Sequence, residues 1–207
     1  SMLILGPKCA VGQCQQISVK DISINCNLLA GCGIEIYGVQ DGSSFERIYI
    51  SQIVTYGILT GWSNAGNSSP SSMNEGLLFN NVQVLGRNDS GTITAGSYFK
   101  LSGLYESTFI NCKALGYTSA THTNCYGFNI GAVVTAGLSN PDCQAVRLIN
   151  CSSGNYFGTG NIGVFFGNAF HCSADTHTME TIKGKAFVFG QAVGSVSYTH
   201  LTLPTIL

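Results

Sequence analysis

One short element recurs seven times along the chain. It reads apolar, any residue, apolar, then Gly, often with Gly before it. The copies are Leu3-Ile-Leu-Gly6, Gly33-Ile-Glu-Ile-Tyr-Gly38, Gly57-Ile-Leu-Thr-Gly61, Phe99-Lys-Leu-Ser-Gly103, Gly127-Phe-Asn-Ile-Gly131, Gly163-Val-Phe-Phe-Gly167 and Phe187-Val-Phe-Gly190. Their first apolar residues stand at 3, 34, 58, 99, 128, 164 and 187, and the smallest gap is 23 residues. Self-similarity at such spacing marks a repeat architecture, in which each unit buries its apolar face only by stacking on the next. An antiparallel sandwich would not return one Gly-flanked element at matching phase, and the leucine pattern of a leucine-rich repeat is absent.

A second element alternates with the first: Ile22-Ser-Ile-Asn-Cys26, Ile48-Tyr-Ile-Ser-Gln52, Leu77-Leu-Phe-Asn-Asn81, Ser107-Thr-Phe-Ile-Asn111 and Val146-Arg-Leu-Ile-Asn150. Its period of two is that of a strand. Aligned on the polar residue, these copies predict a column of Cys26, Gln52, Asn81, Asn111 and Asn150. It reads as an amide ladder in which stacked side chains bond along the repeat direction. Ile22, Ile48, Leu77 and Val146 are expected in one inward column, and Ile24, Ile50, Phe79, Phe109 and Leu148 in the next. Cys112 and Cys151 follow the ladder, where Ile53 and Val82 stand in other repeats, and read as small buried apolar residues. Residues beyond the minimal repeat become loops, at Trp62–Asn74, Arg87–Gly96, Tyr117–Asn124, Ala132–Asp142 and Asn168–Lys183.

Composition agrees with many turns. Gly accounts for 26 of 207 residues, and the chain carries 9 basic and 10 acidic residues for a net charge of −1. Nine scattered basic residues leave no footprint for nucleic acid. No apolar run approaches the ~18 residues of a membrane-spanning helix. Cys9, Cys14, Cys26 and Cys32 are spaced x4, x11 and x5, against the x2–x4 pairs that usually open a zinc site, so no metal and no cofactor are evident.

Repeats of at least 23 residues, each holding short strands separated by Gly-marked turns, resemble the right-handed parallel β-helix of the pectin-lyase-like superfamily. The resemblance runs from Leu3 to Gly190 and implies an all-β chain of about six to seven coils. The motifs through which polygalacturonases of that superfamily act (Asn-Thr-Asp, Asp-Asp, Gly-His-Gly, Arg-Ile-Lys) are absent. No acidic cluster with an Arg resembles a pectate-lyase site. Neutral loops rich in Asn, Ser, Thr and Tyr look instead like those of a phage tail spike. That likeness implies a polysaccharide partner, a virion-surface or extracellular location and, since such spikes are typically trimers, a homotrimer. A secreted polysaccharide lyase or glycoside hydrolase is the alternative, with Ca²⁺ as cofactor if a lyase. A non-catalytic stalk or adhesin is the third reading.

Two sets of residues carry candidate chemistry. Counted back from the ladder, Glu46 and Glu75 fall at one position in adjacent repeats, roughly 5 Å apart. Such a pair suits a retaining glycosidase; a solvated edge neutralised by Lys20 and Arg47 is the plainer reading. Trp62 is the only Trp. With Asn64 and, further on, Tyr117, Tyr126 and Tyr156, it reads as a sugar platform, because aromatic faces stack on sugar rings while amides bond their hydroxyls. His122, His171 and His177 read as polar loop residues.

The ends are expected to be artificial. Residues 196–205 resemble one translated frame of a transposase-type sequencing adapter. The expectation is therefore one β-helix over residues 1–195, taken from a longer protein, followed by a non-native tail over 196–207.

Overall fold

The computed structural model describes residues 1–6, 12–62, 72–131, 142–190 and, for the backbone alone, 197–199. Among these residues regular structure is entirely β, and every strand pairing is parallel. Parallel pairing of consecutive strands needs a long return path. Here the return path is the rest of each repeat.

Three long stacks result, beside shorter ladders such as that of Asn74–Glu75, Leu104–Tyr105, Cys143–Gln144 and Ala169–Phe170. The first holds Leu3–Leu5, Cys32–Tyr37, Tyr56–Gly61, Ser97–Leu101 and Tyr126–Ile130, then residues 162–166 and 185–189. It is the recurrent Gly-flanked element. The second holds residues 18–20, 44–46 and 78–80, then Thr108–Ile110, Arg147–Ile149 and Ser173–Asp175. The third holds residues 22–25, 48–51 and 82–85, then Lys113–Leu115, 152–154 and 178–180. The backbone of Ser197–Thr199 pairs with Ser173–Asp175.

Single residues in the left-handed region make the corners of the second stack. Before it stand Gln16, Gly42, Gly76, Glu106, Ala145 and His171, with φ between 47° and 70°. After it stand Asp21, Arg47, Asn81, Asn111, Asn150 and Thr176, with φ between 51° and 56°. One such residue reverses the local bend without a loop, and Asn tolerates the conformation better than most side chains.

Inward side chains form columns as expected, but in a different register. Val19, Phe45, Phe79, Phe109, Leu148 and Ala174 share one column. Phe45, Phe79 and Phe109 stack at centroid separations of 4.7 and 4.3 Å. Each ring is fully buried, and burying a Phe contributes roughly 2–3 kcal/mol. The next column runs Ile22, Ile48, Val82, Cys112, Cys151 and His177. Cys112 and Cys151 are thus small buried groups in adjacent repeats, as read from sequence. Burial pushes the Cys112 thiol up, and all eight described cysteines are free thiols.

Two sequence expectations need correction. Gln52 does not belong to the column of Asn81, Asn111 and Asn150; Arg47 and Asp21 stand there, and Gln52 lies five residues further on. The strands on both sides of this corner alternate with period two, and in the second repeat each is followed by a residue of positive φ, Arg47 and Gln52. In the first two repeats the pattern match fell on the wrong strand. The stretch 168–183 is not a loop either. It holds Ala169–Phe170, Ser173–Asp175 and the start of Thr178–Phe189, a further repeat whose inward positions are Cys172, Ala174, His177 and Met179. Small and polar core residues hid the apolar alternation.

Candidate functional site

The register sets the fate of the two carboxylates. Glu46 neighbours Lys20 on one side and Asn80 on the other, just before the Arg47 corner. Glu75 lies in the short strand Asn74–Glu75, before the other corner, and neighbours Tyr105. The expected stacked pair Glu46/Glu75 is therefore absent; the two flank opposite sides of the second stack. Glu46 is held by Lys20 Nζ at 2.8 Å and faces Arg47 at 3.4 Å. The Lys20 bond keeps its carboxyl below the usual range, so it is a poor proton donor.

Trp62 follows the first stack. Its indole lies across Gly103, where a Cβ would come within 2.6 Å of Cδ1 and Nε1. Gly103 also has φ +55°, so backbone and side-chain space both call for Gly there. Trp62 meets Tyr105 edge to face at 6.3 Å, and both remain half-buried. Glu75 and Gln144 flank Tyr105 in register. Burial first, then the charge of Asp142, raises the Tyr105 hydroxyl; burial likewise raises the Asp142 carboxyl. Two aromatic rings, two carboxylates and an amide thus converge on one edge. Sequence reading found Trp62 and Glu75 but missed Tyr105, Asp142 and Gln144; the recurring strand ends that follow Gly61, Gly103 and Gly131 were the available signal.

The other proposed platform residues do not join Trp62. Asn64 lies outside the described residues. Tyr117 hydrogen-bonds Tyr49 on the third-stack side. Tyr126 stands edge-on to Phe165, 5.8 Å away. Tyr156 is fully buried and donates its hydroxyl to the Ala114 carbonyl at 2.6 Å; it is a core residue, not a binding one.

Two histidines are corrected in the same way. His122 is buried and bonds the Tyr98 hydroxyl at 2.9 Å. His177 is buried, bonds Ser153 Oγ at 2.7 Å and packs against Phe128 and Phe187. Burial lowers them to about 4 and about 3. Both Nδ1 atoms lack a partner among the described residues, which a neutral ring tolerates at modest cost.

The ladder residues Asn81, Asn111 and Asn150 line the outside of the second corner, all exposed. Asn150 Nδ2 donates to Asn111 Oδ1 at 2.6 Å. Arg47, in the same column, clamps Asp21 through Nε and Nη2 at 2.6 and 2.8 Å. The described residues hold no group of three or more His, Cys, Asp or Glu placed to bind a metal ion. No protein-family model and no curated protein matches the sequence.

Proposed function

We propose that the chain is a right-handed parallel β-helix of the pectin-lyase-like kind, part of a phage tail-spike-like or other surface protein, and that it recognises a polysaccharide. Three stacks of parallel strands, each repeat pairing with the next, support the architecture. The observation that carries the function is the Trp62–Tyr105 edge with Glu75, Asp142 and Gln144 beside it. Aromatic surface for the apolar faces of sugar rings, next to acceptors and donors for their hydroxyls, is the chemistry of a glycan site. Trp62 is the only Trp, so intrinsic fluorescence reports this edge alone. Titration with a panel of bacterial surface polysaccharides should shift or quench that emission for at least one member. Tyr105→Ala should weaken that response about tenfold, the effect of losing roughly 1.4 kcal/mol. A flat response across the panel overturns the reading.

A glycoside hydrolase is the second reading, favoured by one detail. Asp142 is desolvated and suits a general acid, while Glu75 would serve as base or nucleophile. Reducing ends released by the native chain and abolished by Asp142→Asn would support it. Binding without release leaves a non-catalytic recognition protein.

A further inference from the structure

The asparagine corner has capacity that the fold does not use. A cleft of about 700 Å³ runs along its outer side, lined by residues from five successive repeats, Arg47 to Glu180. Four repeat steps at strand spacing make it about 19 Å long. Asn80, Asn81, Asn111 and Asn150 supply its floor, with Lys113 and Glu180 on the third-stack wall.

Corner geometry alone does not ask for these amides. The first corner has the same left-handed backbone in six repeats, yet it uses Gln, Gly, Gly, Glu, Ala and His. Nor does the ladder consume the amides. Its one bond joins Asn150 to Asn111, and the side chains of Asn80 and Asn81 make no hydrogen bond among the described residues. Asn111 Nδ2 and Asn150 Oδ1 remain open as well. Charge is balanced. Arg47 is neutralised by Asp21 and Glu46, and Lys113 and Glu180, one of each sign, have no ion-pair partner among the described residues.

We propose that this cleft is a second binding site, separate from the Trp62 edge, for an extended neutral glycan strand lying along the repeat direction. A chain of hydroxyl groups satisfies amide donors and acceptors repeated at one strand spacing. With Arg47 neutralised from outside the lining, the cleft keeps one charge of each sign, Lys113 and Glu180, which argues against a polyanion. Only the ligand class rests on the glycan-recognition reading; the location stands on the open amides.

The test uses saturation-transfer NMR and calorimetry with maltohexaose, cellohexaose and chitohexaose, beside hexagalacturonate and a hyaluronan hexamer. Asn80→Ala removes one free amide. Asn81→Gly removes another while keeping a residue at home in the left-handed region. A neutral hexamer should bind, with each variant weakening it about three- to tenfold and the pair of variants more. Binding should be unchanged by added salt and by Trp62→Ala. Circular dichroism of each variant confirms the fold. Loss of binding in Trp62→Ala but not in the Asn variants assigns the ligand to the other edge and overturns this site alone. Salt-sensitive binding of acidic hexamers only overturns the neutral ligand. No binding by any hexamer overturns the site; a polysaccharide response at Trp62 in the same preparation would leave the functional reading standing.

Discussion

The two corners of the second stack share a backbone and differ in everything else. Twelve residues, six in each, sit in the left-handed region within a narrow range of φ. At the first corner they are chemically unrelated, and only Gly42 and Gly76 are the residue that conformation prefers. At the second they are Asp, Arg, three Asn and Thr, and two pairs of them, Arg47–Asp21 and Asn150–Asn111, bond along the stack. The difference separates two demands usually read as one. The bend needs only a tolerated dihedral; side-chain identity follows from what the corner faces. Identical geometry with unequal chemistry therefore locates the face on which chemistry is used.

The core behind the second corner offers the largest effect. His177 occupies the inward position next to Thr176. Its pKa is lower folded than unfolded, about 3 against about 6.5. The unfolded chain thus binds more protons, and this contribution is complete above about pH 6.5 and lost as pH falls towards 3. On the order of 4 kcal/mol is at stake from this residue, and His122 acts in the same direction. Urea midpoints should fall steeply between neutral pH and pH 4. His177→Leu should flatten that dependence; a profile that keeps its slope removes His177 as its source.

The corners themselves come next. Asn111→Val forces a β-branched residue into the left-handed region and should cost about 2 kcal/mol, read as a lower urea midpoint. Asn111→Gly keeps the backbone, loses one exposed amide bond and should cost less than about 1 kcal/mol. Equal effects of Val and Gly would show that the corner does not constrain its residue. At the first corner, Ala145→Gly should be neutral or slightly stabilising, since it relieves a dihedral without removing a bond. The smallest effect is expected from Arg47→Met. Its pairs with Asp21 and Glu46 are exposed, and such pairs add little to stability, so the melting temperature should not move measurably.

Sequence and structure parted along the same line. The Gly-flanked element, the alternation of two strand types and the Asn81–Asn111–Asn150 column were legible, because the strands follow a local period and the same residue type recurs at one phase of it. Register in the first repeats was not. There the corner residues are Asp21 and Arg47, which break the run of amides, while Gln52 continued it from the neighbouring strand end. That slip created the apparent Glu46/Glu75 pair. Burial of His122, His177 and Tyr156 was illegible for another reason: a polar residue in a core column satisfies itself across repeats, through Tyr98, Ser153 and the Ala114 carbonyl, at sequence separations no local window spans. At the aromatic edge the same holds, since Tyr105 meets Trp62, and Asp142 comes near Tyr105, only through the stacking.

The span across the second corner never varies. From the in-register positions 18, 44, 78, 108, 147 and 173, the chain reaches the end of the third-stack strand seven residues later in every repeat. The remainder of each repeat takes up all differences in length. This edge therefore works as a ruler with a fixed tick of one strand spacing per repeat. One inserted residue on this span would turn the inward columns outward from that point. The same insertion in the segments between the stacks of the remaining part would be absorbed there. Variation is thereby steered to one side of the molecule, and the measuring edge is left constant.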